Sequence, residues 1–127
     1  MNKREVVRFA IPFLPPSVNS LYGIQGGRKI RIFLKSEARQ FKEKAKLFMP
    51  KKEIKENVKL GLEFLIRGNW YFKNGAFKKL DLQNLEKILI DAIAEKYGFD
   101  DCRVWWKSAE KEQLDGSEVR VVLYEME

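Results

Sequence analysis

Four aspartates, Asp81, Asp91, Asp100 and Asp101, lie between positions 81 and 101 of a chain with 25 Lys and Arg against 18 Asp and Glu. Carboxylates gathered inside a positive protein can supply a hard divalent cation with oxygen ligands, and the net charge of +7 attracts polyanions toward them. Mg²⁺ or Mn²⁺ held in this way keeps several waters. It can activate one of them, offset charge building on a phosphate and stabilise the leaving oxygen. The chemistry implied is hydrolysis of a phosphodiester, and none of it requires the histidine that this chain lacks. Lys87, four residues before Asp91, shares a helical face with it and is placed to hold the scissile phosphate or to meet developing charge.

These residues need a frame. A helix is predicted from Leu82 to Tyr97, with Asp81 at its start and Gly98 at its C-terminal boundary. At about 100° per residue, Asn84, Lys87, Asp91 and Glu95 fall on one narrow arc, and Leu85, Ile88, Leu89, Ile90, Ala92, Ile93, Ala94 and Tyr97 fill most of the rest. Glu86 and Lys96 lie off the arc and are expected to reach solvent on the other flank. A helix of this length spans about 24 Å, so Asp81 and Asp101 cannot meet along it. The chain must double back at Gly98, and a strand from Arg103 running antiparallel to the helix would do so in part.

Val6 to Leu14 is expected to form a first strand ending at Pro15-Pro16, followed by a loop to Gly26-Gly27 and a short second strand over Lys29 to Leu34. Ser36 then caps a helix in which Phe41, Ala45, Phe48 and Met49 recur at helical spacing before Pro50; Lys42, Lys44 and Lys46 lie on its other face. Strict alternation of Val58, Leu60, Leu62, Phe64 and Ile66 with other residues predicts a strand, and Asn74-Gly75 a turn. Two closing strands, Arg103 to Lys111 and Glu118 to Glu125, flank Asp115-Gly116. Trp105 and Trp106, adjacent in a strand, should face opposite sides, one toward the core. The fold class is α/β in the α+β sense, one small domain over residues 1–127 with two main helices and a mixed, mostly antiparallel, largely hairpin-connected sheet.

One cysteine, Cys102, excludes an intramolecular disulfide, and without His or a C-x-x-C pair a structural zinc site is not expected. Glu5, Arg8 and the prolines break the apolar N-terminal stretch, which is expected to be a strand rather than a leader. No apolar run approaches the roughly 20 residues that span a bilayer. A cytoplasmic protein with no membrane partner is expected.

The run Asp81-Leu82-Gln83-Asn84-Leu85-Glu86-Lys87, then Asp91, then Asp100-Asp101 before a strand, resembles the core D-x-D-N-x-x-K…D…D-D pattern of the RusA-type Holliday junction resolvases. The likeness extends to Pro15-Pro16-Ser17-Val18-Asn19 and to the final strand from Val119 to Glu125. It implies a small homodimeric endonuclease that uses Mg²⁺ to resolve four-way DNA junctions by paired symmetric cuts, a role in recombination and repair. By that likeness Asp81 and Asp101 are the main metal ligands, Asp91 and Asp100 helpers, and Asn19, Lys78, Lys79, Asn84 and Lys87 contacts to DNA. The pattern's second aspartate is Gln83 here. A Gln carbonyl can still face the cation, but it brings no charge, and the alternative is a weakly active or non-catalytic basic DNA-binding module.

Each residue also has a plainer role open to it. Asp81 could serve only as a helix cap, Asp100 and Asp101 as turn residues, and Lys87 with Asp91 as a surface ion pair. Asn19 could be an ordinary turn residue. An exposed member of the Trp105-Trp106 pair, with Trp70 or Phe72, could stack on opened bases or sit in a dimer interface.

Overall fold

The computed structural model describes residues 2–16 and 28–127, with side chains in the first helix described from Ser36 onward. Four strands, β1 (Lys3–Ile11), β2 (Lys59–Gly68), β3 (Val104–Gln113) and β4 (Glu118–Met126), form one sheet in the order β1-β4-β2-β3. Helix α1 (Arg28–Lys46) follows β1, and α2 (Leu82–Tyr97) connects β2 to β3. β4 is antiparallel to both β1 and β2, whereas β2 and β3 are parallel. The sheet is therefore mixed and mostly antiparallel in an α+β domain, as expected.

Consecutive strands are not hairpins, which corrects that part of the sequence reading. β3 and β4 meet at the Asp115-Gly116 turn, yet β2 lies between them, paired to both. Alternation identifies a strand but carries no record of its neighbour, because pairing order depends on burial across the whole sheet. Parallel β2 and β3 need a crossover, and α2 supplies it.

One face of the sheet is apolar. Leu60, Leu62, Phe64 and Ile66 of β2, Val119, Val121 and Leu123 of β4, and Val7, Phe9 and Ile11 of β1 form a single core with Phe41, Ala45 and Met49 of the α1 segment and Leu85, Ile88, Leu89, Ala92 and Ile93 of α2. Both helices therefore cover the same face. The other face is polar: Arg67 pairs with Glu112 and Glu118, Arg120 with Glu118, and the Tyr124 hydroxyl donates to Glu63. Such one-sided burial suits a largely antiparallel sheet.

The span predicted as a second strand is helical, since α1 begins at Arg28. Ser36 consequently lies inside the helix and does not cap it. Ile30, Ile32 and Phe33 favour strands locally, but no Pro or Gly interrupts Arg28 to Met49. The apolar spacing of Phe41 and Ala45 extends back through Ala38 and Leu34 to Ile30, and intrinsic penalties of a few tenths of a kcal/mol per residue do not outweigh it. Phe48 is 43% exposed rather than core.

The two tryptophans also depart from expectation. β3 slips register between its pairings with Leu60 and Gly61, and Trp105 sits at that slip, 66% exposed, with Lys59 Nζ 4.3 Å from its ring centre. Trp106 lies half-buried on the polar face over Gly61, where an added Cβ would come within 3.1 Å of its ring and 2.8 Å of Met126 Sδ. Neither enters the core, because a bulge breaks the alternation that would have sent one inward. Trp70 is the buried one: its Nε1 donates to the Glu112 carbonyl at 2.9 Å, which removes it from any stacking surface.

Candidate nuclease site

Helix α2 follows its predicted bounds because both ends are capped. The Asp81 carboxylate accepts from the Gln83 amide at 3.0 Å. Gly98 adopts φ 70°, and its N–H and that of Phe99 return to the Ala94 carbonyl at 2.9 and 3.1 Å. Left-handed backbone of this kind favours glycine. Leu85, Ile88, Leu89, Ala92 and Ile93 face the core, so the arc of Asn84, Lys87 and Asp91 is turned outward. Glu95, the last member of that arc, instead reaches α1, with Lys42 Nζ at 2.8 Å and Lys46 Nζ at 3.3 Å. The hydrogen bond from Lys42 holds the Glu95 carboxyl below the usual carboxylate range.

Beyond Gly98 the chain makes a single 3₁₀ turn, Asp101–Arg103, capped by Asp100, whose Oδ1 accepts from the Cys102 amide at 3.0 Å. That amide keeps the Asp100 carboxyl below its ordinary range, and the Asp100 carboxylate in turn pushes the Cys102 thiol up. Arg103 anchors the turn: Nε and Nη2 donate to the Val58 carbonyl at 3.2 and 3.1 Å. The turn is thereby tied to the entrance of β2, and β3 then runs back beside the helix.

This reversal brings Asp101 back beside the outward face of the helix. A cleft of about 340 Å³ is lined by Gln83, Asn84, Lys87, Ile90 and Asp91 of α2, by Asp101 of the turn and by Lys107 of β3. Lys87 and Asp101 are exposed and Asp91 is half-buried. Among the described residues no ion pair joins Lys87 to Asp91. Asp81 and Asp100 do not line the cleft; both are caps, the role a helix start or a turn gives such a residue. A cap uses one carboxylate oxygen. Asn19 lies outside the described residues.

The donor set suits a hard cation. Asp91 and Asp101 bring carboxylates and Gln83 a neutral amide to the lining, and Mg²⁺ commonly takes one or two protein carboxylates with water and phosphate oxygens completing its shell. Among the described residues no three acidic, cysteine or histidine side chains converge at ligand distance. This is a two-carboxylate cleft with a polar wall, not an all-protein cage.

Lys107 was not singled out from sequence. It lies six residues after Asp101 in a strand with several charged residues, and only the parallel pairing of β3 to β2 turns it toward α2, opposite Trp106. Lys111, on the same face beyond Ala109, donates from its ammonium to the Leu80 carbonyl, fixing the peptide before Asp81. The segment leading there is a small hairpin in which Tyr71 pairs with Phe77, their rings 5.1 Å apart, and Asn74 and Gly75 make the predicted turn. Phe72 and Phe77 are exposed, as is Lys79, and Lys78 is half-buried.

No helix of the described residues is long and apolar enough to cross a membrane. Comparison with curated proteins finds no match. The family model described as endodeoxyribonuclease RusA matches residues 12–124, nearly the whole chain, which therefore belongs to the RusA endodeoxyribonuclease family.

Proposed function

We propose that this protein is a metal-dependent endonuclease that resolves four-way DNA junctions by paired symmetric cuts, acting as a homodimer in recombination or repair. The observation that carries the reading is the shared cleft of Lys87, Asp91 and Asp101, three motif residues from two segments that the fold need not have brought together. Asp91 and Asp101 would hold Mg²⁺ or Mn²⁺, with Gln83 contributing a neutral oxygen. Asp81, at the helix start beside this lining rather than in it, would add the carboxylate oxygen that its cap leaves over, and Asp100 would support the turn. A bound cation of this kind activates water and offsets charge on the phosphate undergoing attack.

The protein's own groups do the rest. Lys87 holds the scissile phosphate and meets charge as it develops. Asn84 orients the backbone nearby, and Lys78, Lys79 and Asn19 contact flanking phosphates, setting position rather than sequence. The exposed Tyr71–Phe77 hairpin stands immediately upstream of Asp81, adding rings on which opened bases can stack.

The test is a gel assay of a synthetic four-way junction against linear duplex of the same sequence, with Mg²⁺, Mn²⁺ or chelator. Paired incisions of the junction that disappear with chelator are expected. Gln83, where the family pattern has an acid, favours a second reading as a basic DNA-binding module. Tight junction binding without cleavage in any metal would select it.

A further inference from the structure

Glu86 lies within the motif but has no part in the proposed hydrolysis. It was expected to reach solvent, yet it is 8% exposed, on the flank of α2 that packs toward β3. Its Oε2 lies 2.9 Å from Lys107 Nζ. Burying a carboxylate is unfavourable, and an apolar residue of similar volume commonly packs as well or better. The pair is also lopsided: the Glu86 side chain is 11% exposed and that of Lys107 48%. The enclosed member is the anchor, and the open member lines the cleft with Lys87, Asp91 and Asp101.

We propose that Lys107 is a second phosphate-binding cation of this cleft and that Glu86 is the positioning residue that holds it there, an inference that rests on the nuclease reading. An exposed lysine ordinarily spreads its ammonium over many rotamers. Salt-bridged to a buried carboxylate at one side, it keeps further N–H donors for phosphate oxygens. Lys87 approaches from the helix and Lys107 from the strand, so a DNA phosphate between them is gripped from two elements that cannot move independently. The ligand class is a backbone phosphodiester; neither lysine reads a base.

The test measures junction binding by fluorescence anisotropy across a salt series without divalent metal, then single-turnover cleavage in Mg²⁺. Lys107→Met should reduce the slope of log K against log salt by about 0.9, one phosphate contact, while Lys107→Arg keeps it. Glu86→Gln retains the lysine charge, so its slope should match wild type while its cleavage rate falls on the order of tenfold, a loss in kcat rather than KM. Because Glu86→Gln could disturb packing, Glu86→Leu is measured with it and should melt at or above wild type yet cleave as slowly. Wild-type slope and rate in Lys107→Met would overturn the proposal and leave Glu86–Lys107 as a tie between helix and strand. A flat salt response of the wild type itself would remove the nuclease reading and this one with it.

Discussion

Arg103 grips the Val58 carbonyl through both Nε and Nη2, at 3.2 and 3.1 Å, so the turn carrying Asp101 is held by the residue that opens the path into β2. A guanidinium fork fixes direction as well as distance. Asp101 owes its place in the cleft to this clamp as much as to its own backbone.

Arg103→Ala should lower stability by about 1.5–3 kcal/mol, the range for hydrogen bonds from a charged group, and cleavage should fall further than folding accounts for. Arg103→Lys, which cannot reproduce the fork, should recover only part of either. Denaturant titration and single-turnover cleavage on the same samples check this; equal losses in both would mean the clamp serves the fold alone.

Asp81 is at once a cap and a proposed ligand, and two substitutions separate the roles. Asn caps as well as Asp, whereas Ala gives up about 1 kcal/mol. Asp81→Asn should therefore melt near wild type and bind junctions at least as well, since a charge near phosphate is lost, but should not cleave them. Full cleavage by the Asn variant would leave Asp81 a cap and nothing more.

Gln83 lines the cleft beside Asn84. Restoring a carboxylate with Gln83→Asp should raise Mg²⁺ affinity and allow cleavage at lower metal, because charge count governs how tightly oxygen sites hold hard cations. Isothermal titration with Mg²⁺ and a metal titration of the cleavage rate read this out. Identical metal dependence in the two proteins would place Gln83 away from the ion.

Tyr97, in the last turn of α2, donates its hydroxyl to the Pro50 carbonyl at 2.6 Å, and burial pushes its phenol up to about 12 from 10.0. The folded state keeps the proton over a range where the unfolded chain has released it, so stability is level below pH 10 and falls from there toward pH 12. Tyr97→Phe should be less stable at neutral pH and show a shallower alkaline decline. Urea melts across pH 8 to 12 measure both.

What the sequence made legible follows from how local each cause is. The bounds of α2, the Asn74-Gly75 turn and the inward face of β2 are set by caps, glycine and alternation within a few residues. The shared cleft was legible in part: the arc of Asn84, Lys87 and Asp91 came from helical geometry, but the arrival of Asp101 depended on the path after Gly98. Glu86 departs from expectation because a charged residue can be buried when it is paired, and its partner lies on a strand whose facing no local pattern gives. The start of α1 departs for the opposite reason, since the longer helical period overrides a short β-branched run.

The cleft lies wholly between Gln83 and Lys107, whereas β1 and β4 join Lys3 to Met126. Loop closure grows as the logarithm of chain length, so a roughly fivefold shorter span is easier to close by about 1.4 kcal/mol. The cleft can thus take shape around β2, α2 and β3 before the two ends of the chain find each other, and fraying of β1, the edge strand far from it, would leave it standing. Native-state hydrogen exchange should show β1 opening at lower free energy than α2.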